Sequence, residues 1–226
     1  LSRHCLPPFL AIRYLLFTSL LPRAPANNIN LVTAGHYLPI VIESIKRARK
    51  SGLTIPIVYN SSGYEKVEAI EALDGIVDIF LPDFKYISSE MAARYSNAPD
   101  YPEIAKRALA QMVKQTGDAK FDERDMMKRG VIVRHLILPG HIKESKEAIR
   151  YLYETYGDQI YISIMNQYTP MPGIEKRFKN LGRTITQKEY DEVVDYAIDL
   201  GVENGFIQEG ETAKESFIPQ FDDTGL

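Results

Sequence analysis

The sequence is poor in cysteine, and this limits the chemistry that its own side chains can support. Its 226 residues include one cysteine, Cys5. A single thiol excludes a disulfide within the chain, and it also excludes a zinc or iron–sulfur site built from this chain's thiolates alone. The simplest interpretation of Cys5 is an isolated thiol without a role.

An excess of charge of one sign is also missing. The formal net charge is -3, and charged residues make up 25% of the chain, beside 45% hydrophobic residues. This balance is ordinary for a soluble globular protein and provides no broad basic field for nucleic acid or for an anionic membrane. We therefore expect no nucleic-acid or membrane partner, a small-molecule or protein partner instead, and a cytoplasmic location.

The length suits one large domain, but the first 26 residues differ from the rest. Their apolar run is broken by two prolines and an arginine, which makes it a poor membrane span. A basic start, an apolar centre and the small residues of Ala24–Ala26 outline a signal peptide. Because the downstream sequence suits a cytosolic enzyme, we favour an atypical segment over 1–26, an artefact of a misread frame, followed by one domain over 27–226.

From residue 27 onward, short apolar runs rich in valine and isoleucine alternate with helical patterns. The predicted strands are Asn28–Thr33, Ile55–Asn60, Val77–Phe84, Val131–Leu138 and Gln159–Gln167. Nearly continuous apolar runs of this kind are typical of parallel strands that are covered on both faces. The predicted helices lie near Leu38–Lys50, Val67–Leu73, Glu103–Gln115, Lys143–Tyr156 and Gln187–Leu200, and Thr186 and Glu189 have capping-box spacing at the start of the last one.

Five strand–helix units in sequence imply a parallel sheet with right-handed crossovers, either doubly wound or part of a (β/α) barrel. No glycine-rich phosphate loop follows the first strand, which weakens the nucleotide-binding, doubly wound alternative. We therefore predict an α/β fold in the form of a partial (β/α) barrel. In such barrels the chemistry lies at the carboxyl ends of the strands.

Polar residues follow each predicted strand, although each one alone is a weak signal because such residues are common in turns. Arg134 is harder to explain, because a guanidinium within an apolar run needs a partner to offset its desolvation. That partner is either a carboxylate of the protein, with Asp83 a candidate, or an anionic ligand. Lys85 at a strand end also permits an unrelated barrel enzyme that forms a Schiff base.

Five strings carry a family resemblance: INLVT, VYNSSGY, LPDFK, VRHLILPGH and MNQYTPMPG. In this order and at these spacings, from about Asn27 to Gly173, they are similar to the branch of radical S-adenosylmethionine (SAM) proteins related to pyruvate formate-lyase activating enzyme. The resemblance implies a partial barrel of the radical SAM type, with SAM lying across the strand tips. It also implies a [4Fe–4S] cluster held by three cysteines of a C-x3-C-x2-C loop after the family's first strand.

The same resemblance implies which residues bind SAM. The segment Thr33–His36 falls where the family contacts the methionine amino group, although the usual Gly-Gly-Glu is absent. Asn60 and Ser61 fall near the methionine carboxylate. The cofactor-binding positions that the resemblance assigns are Thr33, His36, Asn60, Ser61, Asp83, Lys85, Arg134, Gln167 and Tyr168.

The cluster chemistry of the family needs thiolates that this sequence does not contain. In the family, the reduced cluster passes an electron to SAM, and the resulting 5'-deoxyadenosyl radical abstracts hydrogen, from a glycine of a partner glycyl-radical enzyme in the activating branch. The predicted strands correspond to strands two to six of the family, without strand one and its cluster loop. We therefore expect a truncated, inactive chain that binds no cluster and has no catalytic or metal-ligating residues. The alternative is a non-catalytic pseudoenzyme that binds SAM or a protein partner.

Overall fold

The computed structural model describes residues 26–32 and 34–207, which divide into two compact units. The first unit comprises 26–83 and Asp100–Val133, and the second comprises Phe84–Pro99 and 134–207. The predictions for Cys5, for the segment 1–26 up to residue 25 and for Thr33 lie outside the described residues.

The first unit contains parallel strands whose connections are helical. Its strands are β1 (Ile29–Val32), β2 (Ile57–Ser61), β3 (Ile79–Pro82), β4 (Lys120–Phe121) and the beginning of β5 (Met127–Leu136), and its helices are α1 (Leu38–Lys50), α2 (Val67–Glu71) and α4 (Tyr101–Thr116). β1 pairs with β2, β2 with β3, and β3 with β5, all in parallel, whereas the short β4 runs antiparallel to β5. Parallel pairing is possible here because each crossover is long enough to hold a helix.

Apolar side chains from both the strands and the helices form the core of the first unit. Those with almost no exposure include Ile45, Ile57, Tyr59, Ile70, Leu73, Phe80, Met112 and Val131. Burial of one such side chain stabilises the fold by roughly 1.5–3 kcal/mol. On α1, Leu38 and Ile45 are buried, whereas Val41, Ile42 and Ala48, which have the same helical spacing, are half-buried.

Within the described residues, the second unit contains the end of β5, two further strands and four α-helices. Its elements are α3 (Ser89–Ser96), α5 (Ile142–Tyr156), β6 (Tyr161–Met165), α6 (Ile174–Arg177), α7 (Gln187–Leu200) and β7 (Gly205–Ile207). β6 and β7 pair in parallel, and Ile137 N donates to Met165 O at 3.1 Å. The capping box at Thr186 and Glu189 is confirmed at the start of α7.

The fold class is that of a mixed α/β protein with a seven-strand sheet in the order β1-β2-β3-β5-β6-β7, with β4 beside β5. The five predicted strands and five predicted helices are all present. The sequence reading missed β4, β7, α3 and α6, which are short elements with few apolar positions.

The prediction that every strand is covered on both faces is wrong for β1, which alternates between half-buried and exposed, and for β5 and β6. The residues of β5 from Val131 to Leu136 alternate between buried and half-buried, so only one face of this stretch is fully covered. Arg134 lies on the half-covered face and His135 on the covered one. The side-chain period of two along a strand makes this separation unavoidable.

Candidate functional site

The carboxyl ends of β2 and β3 bring three of the predicted site residues together in the first unit. Asn60 and Ser61 end β2, and Asn60 has Leu81 as its register partner on β3. Asp83 follows β3, and its N–H donates to the carbonyl oxygen of Ser61 at 3.0 Å. Ser61 is buried, whereas Asn60 and Asp83 are half-buried. The parallel pairing of the two strands therefore presents an amide, a hydroxyl and a carboxylate at one edge of the sheet.

Tyr101, at the start of α4, fixes the two strand tips relative to each other. Tyr101 is buried, and its hydroxyl donates to the carbonyl oxygens of Ser62 and Asp83, each at 2.9 Å. Gly63 lets the chain pass close to the same place, because a Cβ at this position would overlap the Asp83 carbonyl oxygen. Its φ of 78° is also in the left-handed region that favours glycine.

A carboxyl group that the sequence reading did not single out lies beside these tips. Burial raises the pKa of Glu65; hydrogen bonds from Ser61 and Ser62 oppose this effect and the Asp83 charge adds to it. The Oε2 atom of Glu65 is buried and has no hydrogen-bond partner. Burial also raises the pKa of the neighbouring Tyr59 to about 12, with a smaller contribution from the Glu65 charge. The signal in the sequence was an acidic residue directly after the VYNSSGY string.

His36, the other described candidate in the first unit, lies in a 3-10 turn over Ala34–Tyr37 that precedes α1. Its side chain is exposed. Its proposed contact with the methionine amino group stays a prediction, because nothing in this turn supports or contradicts it.

In the second unit, Arg134 and Lys85 lie on neighbouring segments. Phe84 N donates to Arg134 O at 2.8 Å, which places Lys85 next to the end of β5. Arg134 is half-buried, and Lys85 is exposed. An exposed lysine lacks the desolvated pocket that activates a Schiff-base nucleophile, so the Lys85 alternative loses its physical basis.

The histidine beside Arg134 is fully buried and was not predicted to have a role. Phe84 O lies 2.7 Å from His135 Nδ1, and since a carbonyl oxygen only accepts, Nδ1 carries the proton. The Nε2 atom of His135 is buried without a hydrogen-bond partner. Burial lowers the pKa of His135, so the neutral ring is the stable form in the folded protein.

Gln167 and Tyr168 follow β6, where both are half-buried. The Tyr168 hydroxyl donates to Leu181 O at 2.9 Å, which attaches this segment to the 3-10 turn over Lys179–Gly182. The pKa of Tyr168 is raised by burial and, to a lesser degree, by Tyr86 and Tyr95. Tyr168 therefore has a structural role in addition to the one the resemblance implies.

A further polar cluster in the second unit was missed. His141 Nε2 lies 2.7 Å from the Tyr95 hydroxyl and 2.6 Å from Asn180 Nδ2, and Asn180 Nδ2 lies 3.1 Å from the same hydroxyl. The ring of Tyr95 also packs edge-on against Phe178. These three polar side chains satisfy one another, which is the ordinary state of half-buried polar groups.

Within the described residues, no group of three or more histidine, cysteine, aspartate or glutamate side chains could hold a metal ion. No helix in the described part is long and apolar enough to cross a membrane.

Comparison with known proteins gives a relative by sequence and a likeness in fold. An uncharacterized protein of Methanocaldococcus jannaschii is 30% identical over 172 residues, a match that covers 76% of this chain and 46% of that protein. The chain thus spans about half the length of the curated relative that it matches. No protein-family model matches the chain.

Among solved structures, a domain of a pyruvate-formate lyase-activating enzyme from Bacteroides vulgatus is similar, with a TM-score of 0.56. This chain has that domain's fold. The likeness covers 80% of this chain and 98% of the domain, at 13% sequence identity. The predicted fold class, an α/β protein in the form of a partial (β/α) barrel, is therefore confirmed, while identity this low says nothing about activity.

Proposed function

We propose that this chain is a SAM-binding protein of the radical SAM type, resembling the glycyl-radical activating enzymes, and that the sequence given does not carry out the radical reaction. The observation that carries the proposal is the arrangement of Asn60, Ser61 and Asp83 at the carboxyl ends of neighbouring strands. The fold shared with the Bacteroides vulgatus domain supports it.

The strand-tip residues fit SAM chemically. SAM carries a carboxylate, an ammonium group and a sulfonium cation, so its site needs hydrogen-bond donors as well as negative charge. Asn60 supplies an amide donor, which would suit the methionine carboxylate, and Asp83 supplies negative charge near the cationic part, whereas the Ser61 hydroxyl donates to Glu65. Ordering of the tips by Tyr101 keeps these groups in place before the ligand arrives.

The residues of this chain do not fit an iron–sulfur cluster. A [4Fe–4S] cluster of the radical SAM type needs three thiolates, and the 226 residues contain one cysteine. The described residues also offer no other group of metal ligands. We therefore assign no step of the reaction to this chain, and the glycyl-radical enzyme or other protein that it would serve stays a prediction.

Calorimetry with SAM tests the binding proposal. We expect saturable binding of SAM and much weaker binding of 5'-methylthioadenosine, which lacks the amino-acid part. Asp83→Asn keeps the shape but removes the charge, and should weaken SAM binding roughly ten-fold or more, the usual effect of losing a charged hydrogen bond. Asp74→Asn, at an exposed position after α2, is the matched control and should bind like the wild type. Equal affinity for both ligands, or no binding of SAM, would contradict the proposal.

A further inference from the structure

Glu65 is held in an unusual place for a carboxyl group. It follows the tip of β2 by four residues, after the left-handed turn at Gly63, and it receives hydrogen bonds from Ser61 and Ser62. Its other oxygen, Oε2, is buried and has no partner. In the described part of the first unit it is the one buried side-chain oxygen or nitrogen in this state.

A buried carboxylate oxygen without a partner is costly. Nearly all buried polar atoms in folded proteins have a hydrogen-bond partner, and an exception calls for an explanation such as a binding role. The charged or titratable groups that face Glu65 are Asp83, from the end of β3, and Tyr59, from β2. Neither one can offset a negative charge on Glu65, and the Asp83 charge opposes it.

A cationic ligand group would resolve both problems. An ammonium group beside Oε2 would supply the missing hydrogen bond and would reduce the repulsion between Glu65 and Asp83. A sulfonium group could supply the charge but no hydrogen bond, because it carries no proton. The missing donor therefore favours the nitrogen end of the ligand.

We infer that Glu65 binds the ammonium group of the methionine moiety of SAM. This inference rests on the proposed function. It assigns to Glu65 the contact with the ammonium group, for which the exposed turn at His36 offers no supporting observation. Because burial raises the pKa of Glu65, the proton balance can be followed: each Glu65 carboxyl that is protonated before binding loses one proton to the buffer, and the resulting carboxylate pairs with a ligand ammonium that keeps all three of its protons.

Proton release measured by calorimetry tests this inference. Binding of SAM is measured below neutral pH, where the ligand amine is already protonated, in two buffers with very different ionisation enthalpies. We expect the wild type to release up to one proton per ligand and its affinity to rise with pH by up to about ten-fold per unit. Glu65→Gln should release no proton, bind more weakly and show a flat pH profile. Glu68→Gln, at an exposed position on α2, should behave like the wild type.

The outcomes separate this inference from the proposed function. If the wild type does not bind SAM, the proposed function itself is wrong. If the wild type binds SAM without proton release in either buffer, or if Glu65→Gln binds with unchanged affinity and pH profile, only the role of Glu65 is overturned. The proton count on the wild type needs no variant, so a Glu65→Gln protein that fails to fold would still leave a decisive measurement.

Discussion

His135 is a histidine enclosed on the covered face of β5, with 1% of its surface exposed. Phe84 O accepts a hydrogen bond from Nδ1–H, while the second ring nitrogen has no partner. Because protonation would place a charge in this dry environment, the neutral ring is strongly preferred. A polar residue that the sequence placed among apolar neighbours is thus accommodated by one backbone hydrogen bond.

The lowered pKa of His135 predicts a loss of stability in mild acid. Above pH 6.5 the ring is neutral in both the folded and the unfolded chain, but as the pH falls below this value only the unfolded chain takes up the proton. The free energy of unfolding should therefore fall by up to about 1.4 kcal/mol per pH unit until the folded pKa is reached.

Urea unfolding of the wild type and of His135→Gln across this pH range measures the effect. The variant should be less stable at neutral pH but should lack this part of the pH dependence, so the two curves should converge as the pH falls. His36→Gln, at an exposed histidine, should leave the slope unchanged. Parallel curves for the wild type and His135→Gln would contradict the assignment.

At the scale of elements, the turn after β2 depends on a glycine for two separate reasons. Gly63 has a φ of 78°, and a Cβ there would overlap the carbonyl oxygen of Asp83. Gly75 has a similar φ of 67° but nothing within 4 Å of its added Cβ. Comparing substitutions at these two glycines therefore separates the cost of the left-handed backbone from the cost of steric overlap.

Gly63→Ala should therefore destabilise the protein more than Gly75→Ala does. The left-handed backbone alone costs roughly 1–2 kcal/mol for a residue with a Cβ. Overlap with Asp83 should add roughly 1–3 kcal/mol at Gly63 only, and it should also weaken SAM binding because the β3 tip must move. Chemical unfolding and calorimetry on both variants check this, and equal losses of stability would show that the close approach does not matter.

The start of α7 is fixed by a small network around Glu189. Its carboxylate accepts from Thr186 N at 2.9 Å and from Gly140 N at 2.8 Å, and it pairs with the Arg183 guanidinium at 2.6 and 2.7 Å. The Arg183 guanidinium holds the pKa of Glu189 well below its usual range, with help from the backbone donors. The reciprocal bond, from Glu189 N to Thr186 Oγ1, completes the capping box.

Thr186→Ala should cost about 1 kcal/mol of the free energy of unfolding, because it removes the hydroxyl that accepts from the first turn of α7. Thr184→Ala, two residues earlier and equally exposed, is the control and should have little effect. Thermal or urea unfolding of the two variants provides the comparison. If Thr184→Ala lowers the free energy of unfolding as much as Thr186→Ala does, the cap is not the source of the lost stability.

At the scale of the whole molecule, the fold resembles that of an activating-enzyme domain, whereas the cysteine count does not provide the thiolates of an iron–sulfur cluster. The chain has the fold of an activating-enzyme domain, and yet its sequence contains a single thiol. Three thiolates cannot be replaced by oxygen or nitrogen ligands from the described residues, where no group of three such side chains is placed for a metal.

Anaerobic reconstitution with iron and sulfide tests this directly. We expect no stoichiometric cluster: less than one [4Fe–4S] equivalent of iron and sulfide per chain after desalting, and no charge-transfer absorbance near about 400 nm beyond that of adventitious iron sulfide. A cysteine-containing ferredoxin treated in parallel controls for the reaction itself. A stable, full cluster on this chain would overturn the prediction.

The sequence by itself determined the main elements and the class of fold. Alternating apolar runs and helical stripes located five strands and five helices, because hydrophobic period and element length are local properties. The capping box was equally local. The short elements β4, β7, α3 and α6 escaped because two to eight residues carry too little periodicity to distinguish them from turns. The cysteine count, a property of composition alone, excluded a cluster held by this chain's thiolates alone.

Only the tertiary structure decided which polar residues acquire special properties. Asn60, Ser61 and Asp83 were predicted as strand-end residues, and the register of β2 and β3 made them neighbours. Glu65 and His135 look ordinary in the sequence, since nothing local says that one carboxylate oxygen and one ring nitrogen will be buried without a partner. Burial depends on segments distant in the chain that fold over a side chain, and burial is what shifts its pKa and its chemistry.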